Sequence, residues 1–528
     1  MSSPRGYLAL VLHAHLPFVR HPEYEEFLEE RWLYEAITET YIPLLTLLSA
    51  LHRDRVPHRL TMSLTPPLLN MLADSLLQSR YARHLDRLID FCEQEVSRTR
   101  DDGQFHRLAV FYRDHLRQIR RTFVDVYAGN LIPGFRRMQD EGNLEIIACA
   151  ATHGFLPLLA VNEKAVRAQV RVGIDEYRRF LGRDPSGFWL PECAYYPGVD
   201  RFLGEAGIRY FLIESHGLLY ATPRPVYGLY APILTPSGVA AFGRDIESSR
   251  QVWSSVEGYP GDHDYRDFYR DAGFDLDYEH VRPLLPPTGE RVATGIKYYR
   301  ITGKTPHKEP YNLDWARAKI DAHAGNFMWN RERQIEWLAG TMDRPPIVVA
   351  PYDAELFGHW WFEGPDWLEM LMRKVAYDQS VFRMTTPGRY LEEHPVNQVA
   401  TPAYSSWGHK GYNEVWLAHE NDWVYRHLHV AADRMCELAD RFPEATGMVR
   451  RALNQAAREL LLAQSSDWAF IMSRGTVVDY AVTRTKDHIA RFTKLYRDLL
   501  AGELDPAWLQ EIESRDSIFP TIDYRVYR

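Results

Sequence analysis

Short apolar runs recur through most of this chain, and several break off into titratable or aromatic side chains. Tyr7 to Phe18 loses its apolar character at His13 and His15, which strand alternation puts on one face. Arg59 to Leu64 is closed by Pro66 and Pro67, and Leu144 to Ala151 delivers Thr152 and His153. The run in Gly187 to Gly198 (GFWLPECAYYPG) delivers Glu192, then Tyr195 and Tyr196. Ile208 to Ile213, Gln251 to Val256 with Trp253, and Ile347 to Ala350 read as further strands, the last emptying into PYDAELFGHWW with Asp353. Between strands the spacing turns helical, as in Glu163 to Leu181 and in Arg31 to Arg53, where Pro43 forces a kink or a boundary. This pattern predicts a parallel α/β barrel, whose chemistry gathers where the strands end.

Three stretches depart from the pattern. Residues 68–139 are charged and helical without a strand signal, too long for a βα connection, and predict a helical insertion after the segment 1–67. Ser215 to Gly243 is rich in Pro and Gly and carries Tyr220, Tyr227 and Tyr230, which suggests either a lid over the cleft or a surface excursion. After about residue 400 the strands cease. Helical patterns over Val424 to Asp440, Thr446 to Gln464 and Val482 to Leu500 predict a separate α-helical domain, 401–528, packed on a barrel made of 1–67 and 140–400.

Composition narrows the partners. A net charge of −9 speaks against nucleic acid or an anionic membrane, both of which call for a basic face. A neutral glycan makes no such demand, and an aromatic content of 13% supplies rings that stack on sugars as readily as they fill a core. The four cysteines form no CxxC, so neither zinc nor a disulfide framework is expected. Without a signal peptide or a membrane-length apolar run, the expected setting is cytoplasmic. The oligomeric state is left open, a monomer being compatible.

A carboxyl pair on two strand ends can cleave a glycosidic bond, one attacking the anomeric carbon while the other protonates the leaving oxygen. Glu192 and Asp353 are the candidates; an ordinary surface Glu after a strand is the plain alternative for the first. His13, His15 and His153 with Asp353 could instead hold a divalent metal, as in a deacetylase or mannosidase. Glu355 and His359, four apart, could form a metal half-site, but Gly358 between them favours a role in holding shape. A silent glucan-binding protein would use the aromatic surfaces alone.

The segments LVLHAHLPF, GNLEIIACAATHGFLP, GFWLPECAY, APYDAELFGHWW and QSSDWAFIM resemble the five ordered motifs of family 57 glycoside hydrolases, from Val11 to Met472. Within the family, HGLLYATPRPVYGLYAPI, AFGRDIESSRQVWSSVEGYPGD and GIKYYRITG are most similar to the 1,4-α-glucan branching enzymes. The resemblance implies a (β/α)7 barrel with a helical insertion after the second strand and a C-terminal helical domain completing the cleft. It implies Glu192 as nucleophile, Asp353 as acid and base, no metal or other cofactor, and an α-1,4-glucan substrate. It further implies His13, His15 and His153 around the scissile sugar, with Arg244, Gly261, Trp407 and Asp467 on glucan; Trp253, Trp416 and Trp468 are weaker candidates. Alternatives within the family are 4-α-glucan transfer and hydrolysis. Gln464 and Ser465 stand where the family often carries an acidic residue.

Overall fold

A computed structural model describes residues 4–254 and 257–528. Its sheet comprises β1 (Gly6–Ala14), β2 (Leu60–Leu64), β3 (Leu144–Cys149), β4 (Gly187–Trp189), β5 (Tyr210–Ile213), β6 (Ile233–Leu234), β7 (Ala240–Gly243), β8 (Ile347–Asp353) and β9 (Phe382–Met384). In the order β7-β5-β4-β3-β2-β1-β8 the strands all run parallel, and β6 joins β7 antiparallel while β9 pairs with β1. The sheet curls until its edges meet: the Asp245 amide, two residues past β7, donates to the Val349 carbonyl on β8 at 2.8 Å. This is the (β/α)7 barrel.

Alternation along the strands decides what faces inward. Ala9 and Val11 of β1, Tyr210 and Leu212 of β5, Ala240 and Phe242 of β7, and Ile347 and Val349 of β8 form one buried cluster inside the barrel, while Leu8, Leu10 and Leu12 pack outward under the helices. Continuing each inward series in steps of two reaches His13 and His15, Glu214, Arg244 and Asp353. The register puts His13 level with both Ser63 and Asp353. The barrel is therefore filled with side chains below and polar at its C-terminal mouth.

Two expectations need correcting. Gln251–Trp253 are not a strand but the last turn of the helix Ile246–Trp253, capped by the Asp245 carboxylate accepting from the Ser248 amide at 2.7 Å; Ser255 and Val256 lie outside the described residues. The missing barrel strand is β7, inside the stretch read as loop. Four residues among glycines and prolines are too few to display alternation.

Between β2 and β3 the chain is helical, with Pro66–Ala73, Ser75–Arg98, Gly103–Arg121 and Ile132–Asp140. The helix of Arg31–Arg53 does not break at Pro43 but widens into a π turn over Ile37–Tyr41, which leaves Pro43 in the first turn of the following helix, where its missing N–H costs little. Helices Trp423–Arg441, Gly447–Ala463, Ser466–Arg474, Val478–Ala501 and Pro506–Arg515 follow the barrel. They are tied to it by the Thr152 hydroxyl donating to the Leu461 carbonyl and by Gln169 Nε2 donating to Gln464 Oε1 at 3.0 Å. Among the described residues, no helix is long and apolar enough to cross a membrane.

Candidate active site

The mouth of the barrel holds a cavity of about 810 Å³ that Glu192, Asp353, the three histidines and Asp467 all line. A second cavity of about 520 Å³ adjoins it, sharing Arg244, Trp253, Trp407 and Gly408 and adding Glu214 and His216. Together they form one cleft.

Glu192 sits in a turn immediately after β4. Its backbone and that of Cys193 are left-handed, with φ of 61° and 48°, a conformation that costs an L-residue about 1–3 kcal/mol and persists only when its surroundings impose it. Here the Trp407 amide donates to the Glu192 carbonyl at 3.0 Å and the Cys193 amide to the Leu190 carbonyl at 2.8 Å. The carboxylate is held in turn: Trp407 Nε1 donates to Oε2 at 2.7 Å and Ser466 Oγ to Oε1 at 3.3 Å. Burial and the nearby Asp353 push this carboxyl up to about 7, against the pull of the Trp407 hydrogen bond.

Asp353 ends β8 on the inward face, and its side chain receives no hydrogen bond among the described residues. Burial and then the charge of Glu355 raise it to about 7, with His15 and Arg244 opposing. The two carboxyls thus differ in kind. Donors stabilise the anion of Glu192 against burial and the charges of Asp353 and Asp467, whereas Asp353 has no such donor among the described residues and lies beside the charge of Glu355.

The histidines form a directed chain. Burial holds His13 and His153 well below the ordinary imidazole value, so both are neutral. Because Ser466 donates to Glu192, it accepts from His153 Nδ1 at 2.9 Å; His153 Nε2 then accepts from His13 Nε2 at 2.9 Å, and His13 Nδ1 from Ser63 Oγ at 2.5 Å. His15 bonds Thr65 Oγ1 at 2.9 Å and Asp467 at 3.0 Å. All the imidazole nitrogens expected to meet sugar therefore have protein partners, and the chain ends on the Glu192 carboxylate. Burial raises the Asp467 carboxyl, but His15 and the Ser465 hydroxyl outweigh it and hold it at about 2.

Other candidates fall on both sides of the cleft wall. Arg244 lines it, though its guanidinium is committed to Glu214 at 3.0 Å and Ser249 at 2.7 Å. Trp253 lines it edge-on to Trp407, at 6.1 Å between centroids. Trp407 lines both cavities, and its indole N–H anchors Glu192. Trp416 borders the cavity while stacked on Phe155 at 4.3 Å. Trp468 is core, 1% exposed, and donates to the Leu462 carbonyl. Gly261 lies in the short helix Tyr259–Gly261 and borders neither cavity.

The three tyrosines do not cover the cleft. The Tyr227 hydroxyl bonds Asp343, and the Tyr230 carbonyl accepts from the Ile347 amide at 2.9 Å, both at the opposite, N-terminal end of β8. Tyr220 is exposed beneath the Arg224 guanidinium. Their loop descends the barrel to start β7 instead of folding over its mouth.

Further side chains complete the site, among them Ser466 and Glu214, which no sequence pattern singled out. Glu355 accepts from the Tyr41 hydroxyl at 2.5 Å and the His15 amide at 3.2 Å, tying β1 to the end of β8. Ser466 comes from the C-terminal helices, and Glu214 extends the inward face of β5. Gly358 does break the helix: φ is +114° and a Cβ would lie 1.7 Å from the Glu39 carbonyl, while His359 bonds Glu39 at 2.7 Å. Among the described residues of the cleft, the donor atoms close enough to share an ion, within 4.8 Å, are those of His15, His153 and Asp467, a set lacking His13 and Asp353, in which His15 and Asp467 already bond each other.

The fold and this pair of carboxyls define an enzyme acting on glycosidic bonds. The chain belongs to glycosyl hydrolase family 57, whose model matches residues 9–402. Residues 427–527 match the model of the 1,4-alpha-glucan branching enzyme C-terminal region. A 1,4-alpha-glucan branching enzyme of Thermococcus kodakarensis is 34% identical, over 98% of this chain and 77% of its own length. Among solved structures, an alpha-amylase of Thermotoga maritima is 46% identical with a TM-score of 0.93, covering 99% of both chains. The branching enzyme of Pyrococcus horikoshii is 34% identical with a TM-score of 0.89, covering 99% of this chain and 97% of its own.

Proposed function

We propose that this chain is a 1,4-α-glucan branching enzyme that works by retaining double displacement. A Glu192 oxygen attacks C1 of an α-1,4-linked residue as the C1–O4 bond breaks, and Asp353 gives its proton to the departing O4. Asp353 then takes the proton of an incoming 6-hydroxyl, whose oxygen displaces Glu192 from C1 and leaves an α-1,6 linkage. The single observation that carries the assignment of roles is the different surroundings of the two carboxyls, hydrogen-bond donors on Glu192 and, among the described residues, none on Asp353.

The choice of acceptor rests on the C-terminal region. The segment similar to branching enzymes supplies Ser466, Asp467, Phe470 and Arg474 to the cleft wall. With the tyrosine loop elsewhere, Trp407, Gly408 and these residues are the side of the cleft that would limit the access of water when a glucan is bound. A second reading, hydrolysis, draws on the 46% identity to the Thermotoga amylase. Proton NMR of amylose incubated with the protein separates them: growing α-1,6 signals are expected, and reducing ends appearing without them would establish the amylase. Four free thiols, three of them buried, support the cytoplasmic setting.

A further inference from the structure

The helix Leu313–Thr341 carries three exposed tryptophans, Trp315, Trp329 and Trp337, at 50%, 55% and 68% exposure. At about 100° and 1.5 Å per residue they fall within an arc of about 80° and span about 33 Å along one face. The opposite face packs on the barrel through Ile320, Phe327, Ile335 and Leu338. A helix with one buried stripe should be charged on its other side. Scattered apolar side chains on a surface need no explanation, but three indoles in a row do.

Their surroundings identify the occupant. The strip between the rings is made of exposed Ala318, Ala322, Asn326 and Arg333, with no large aliphatic side chain, so it is not the contiguous apolar patch a protein partner buries. Trp329 and Trp337 join no ring stack or cation contact among the described residues. Trp315 lies under the Arg300 guanidinium and walls a cavity of about 280 Å³ with the polar side chains of Gln104, Arg107, Glu309 and Asn312. Flat apolar rings spaced by small and hydrogen-bonding groups match a polymer that is apolar on its faces and hydroxylated at its edges. The net charge of −9 disfavours the other stacking polymer, a nucleic acid.

We propose that this row is a second α-glucan-binding surface, outside the catalytic cleft, which holds a long chain while the cleft works on it. The proposal takes its ligand class from the proposed function, so its test reads binding alone. The test uses Glu192→Gln protein, with excess maltoheptaose to occupy the cleft, run on native gels containing glycogen. Retardation by glycogen is expected, weakened at least about fivefold in apparent affinity by adding Trp329→Ala and Trp337→Ala. With Glu192 restored, the double variant should keep its turnover of maltoheptaose and its Tm, since both side chains are exposed. Unchanged retardation in a folded double variant would overturn the proposal. So would a dimer in sedimentation that the substitutions dissociate while retardation stays the same, which would make the row a contact between copies. Failure to form α-1,6 linkages would overturn the branching reading and leave this result standing.

Discussion

Trp407→Phe keeps a ring but removes the N–H that holds Glu192. A hydrogen bond to a charged group is worth about 1.5–3 kcal/mol, so kcat should fall roughly 10- to 100-fold. The loss also destabilises the Glu192 anion. Because the nucleophile must be ionised, the acid limb of the pH–rate profile should move to higher pH. Ser466→Ala removes the last link of the histidine chain and should move that limb in the same direction, by less. Glu355→Gln acts on the other carboxyl: without the neighbouring charge Asp353 ionises more readily, so the alkaline limb should move to lower pH. A pH profile in which all three variants shift the same limb would reject the split of roles. Glu192→Gln should lower turnover by at least about 10³-fold. Of these residues Glu192 and Asp353 stood out because they end apolar runs, Glu355 by its spacing from His359, and Trp407 through the family resemblance. Glu214 was within reach, since counting in twos from Tyr210 arrives at it, but Ser466 and the indole of Trp407 become legible only beside Glu192.

At the scale of elements, close approach decides more than propensity. Gly173 lies in the middle of the helix Glu163–Leu181, where Ala would ordinarily gain about 1 kcal/mol. Yet a Cβ there would stand 2.1 Å from the Cys149 carbonyl at the end of β3. Gly173→Ala should therefore lower the Tm instead of raising it, and should cost activity too, because β3 leads directly to His153. In the C-terminal helices, Arg491 pairs with the buried Asp516 at 2.7 Å, with Arg484 3.8 Å from the same carboxylate. Asp516→Ala strands buried charge and should destabilise the protein by about 3 kcal/mol in denaturant titration. The helices over Glu163–Leu181 and Trp423–Arg441 were legible because their apolar stripes are long. The strand β7 and the helical end at Trp253 were not, since short segments take their conformation from the neighbours they meet.

For the whole molecule, the cleft exists only when the barrel and the C-terminal helices are assembled. Glu192 is bonded by side chains from positions 407 and 466, and His15 by one from 467. The catalytic centre should accordingly be lost with the native fold in a single cooperative step, activity and near-ultraviolet circular dichroism falling together in denaturant. The same geometry bears on metal: with His15 and Asp467 bonded to each other, dialysis against EDTA is expected to leave turnover unchanged. A loss restored by a divalent ion would return the metal reading.

The alternation of apolar and polar positions by itself determined a parallel barrel, a helical insertion, a helical C-terminal region and two carboxyls at strand ends, because burial acts on each segment through its own period. Which side chains those carboxyls would meet was decided by tertiary structure alone. The contacts join residues hundreds of positions apart, and they put donors on Glu192 and, among the described residues, none on Asp353, linked the histidines to the Glu192 carboxylate, and sent the tyrosine loop to the far end of the barrel.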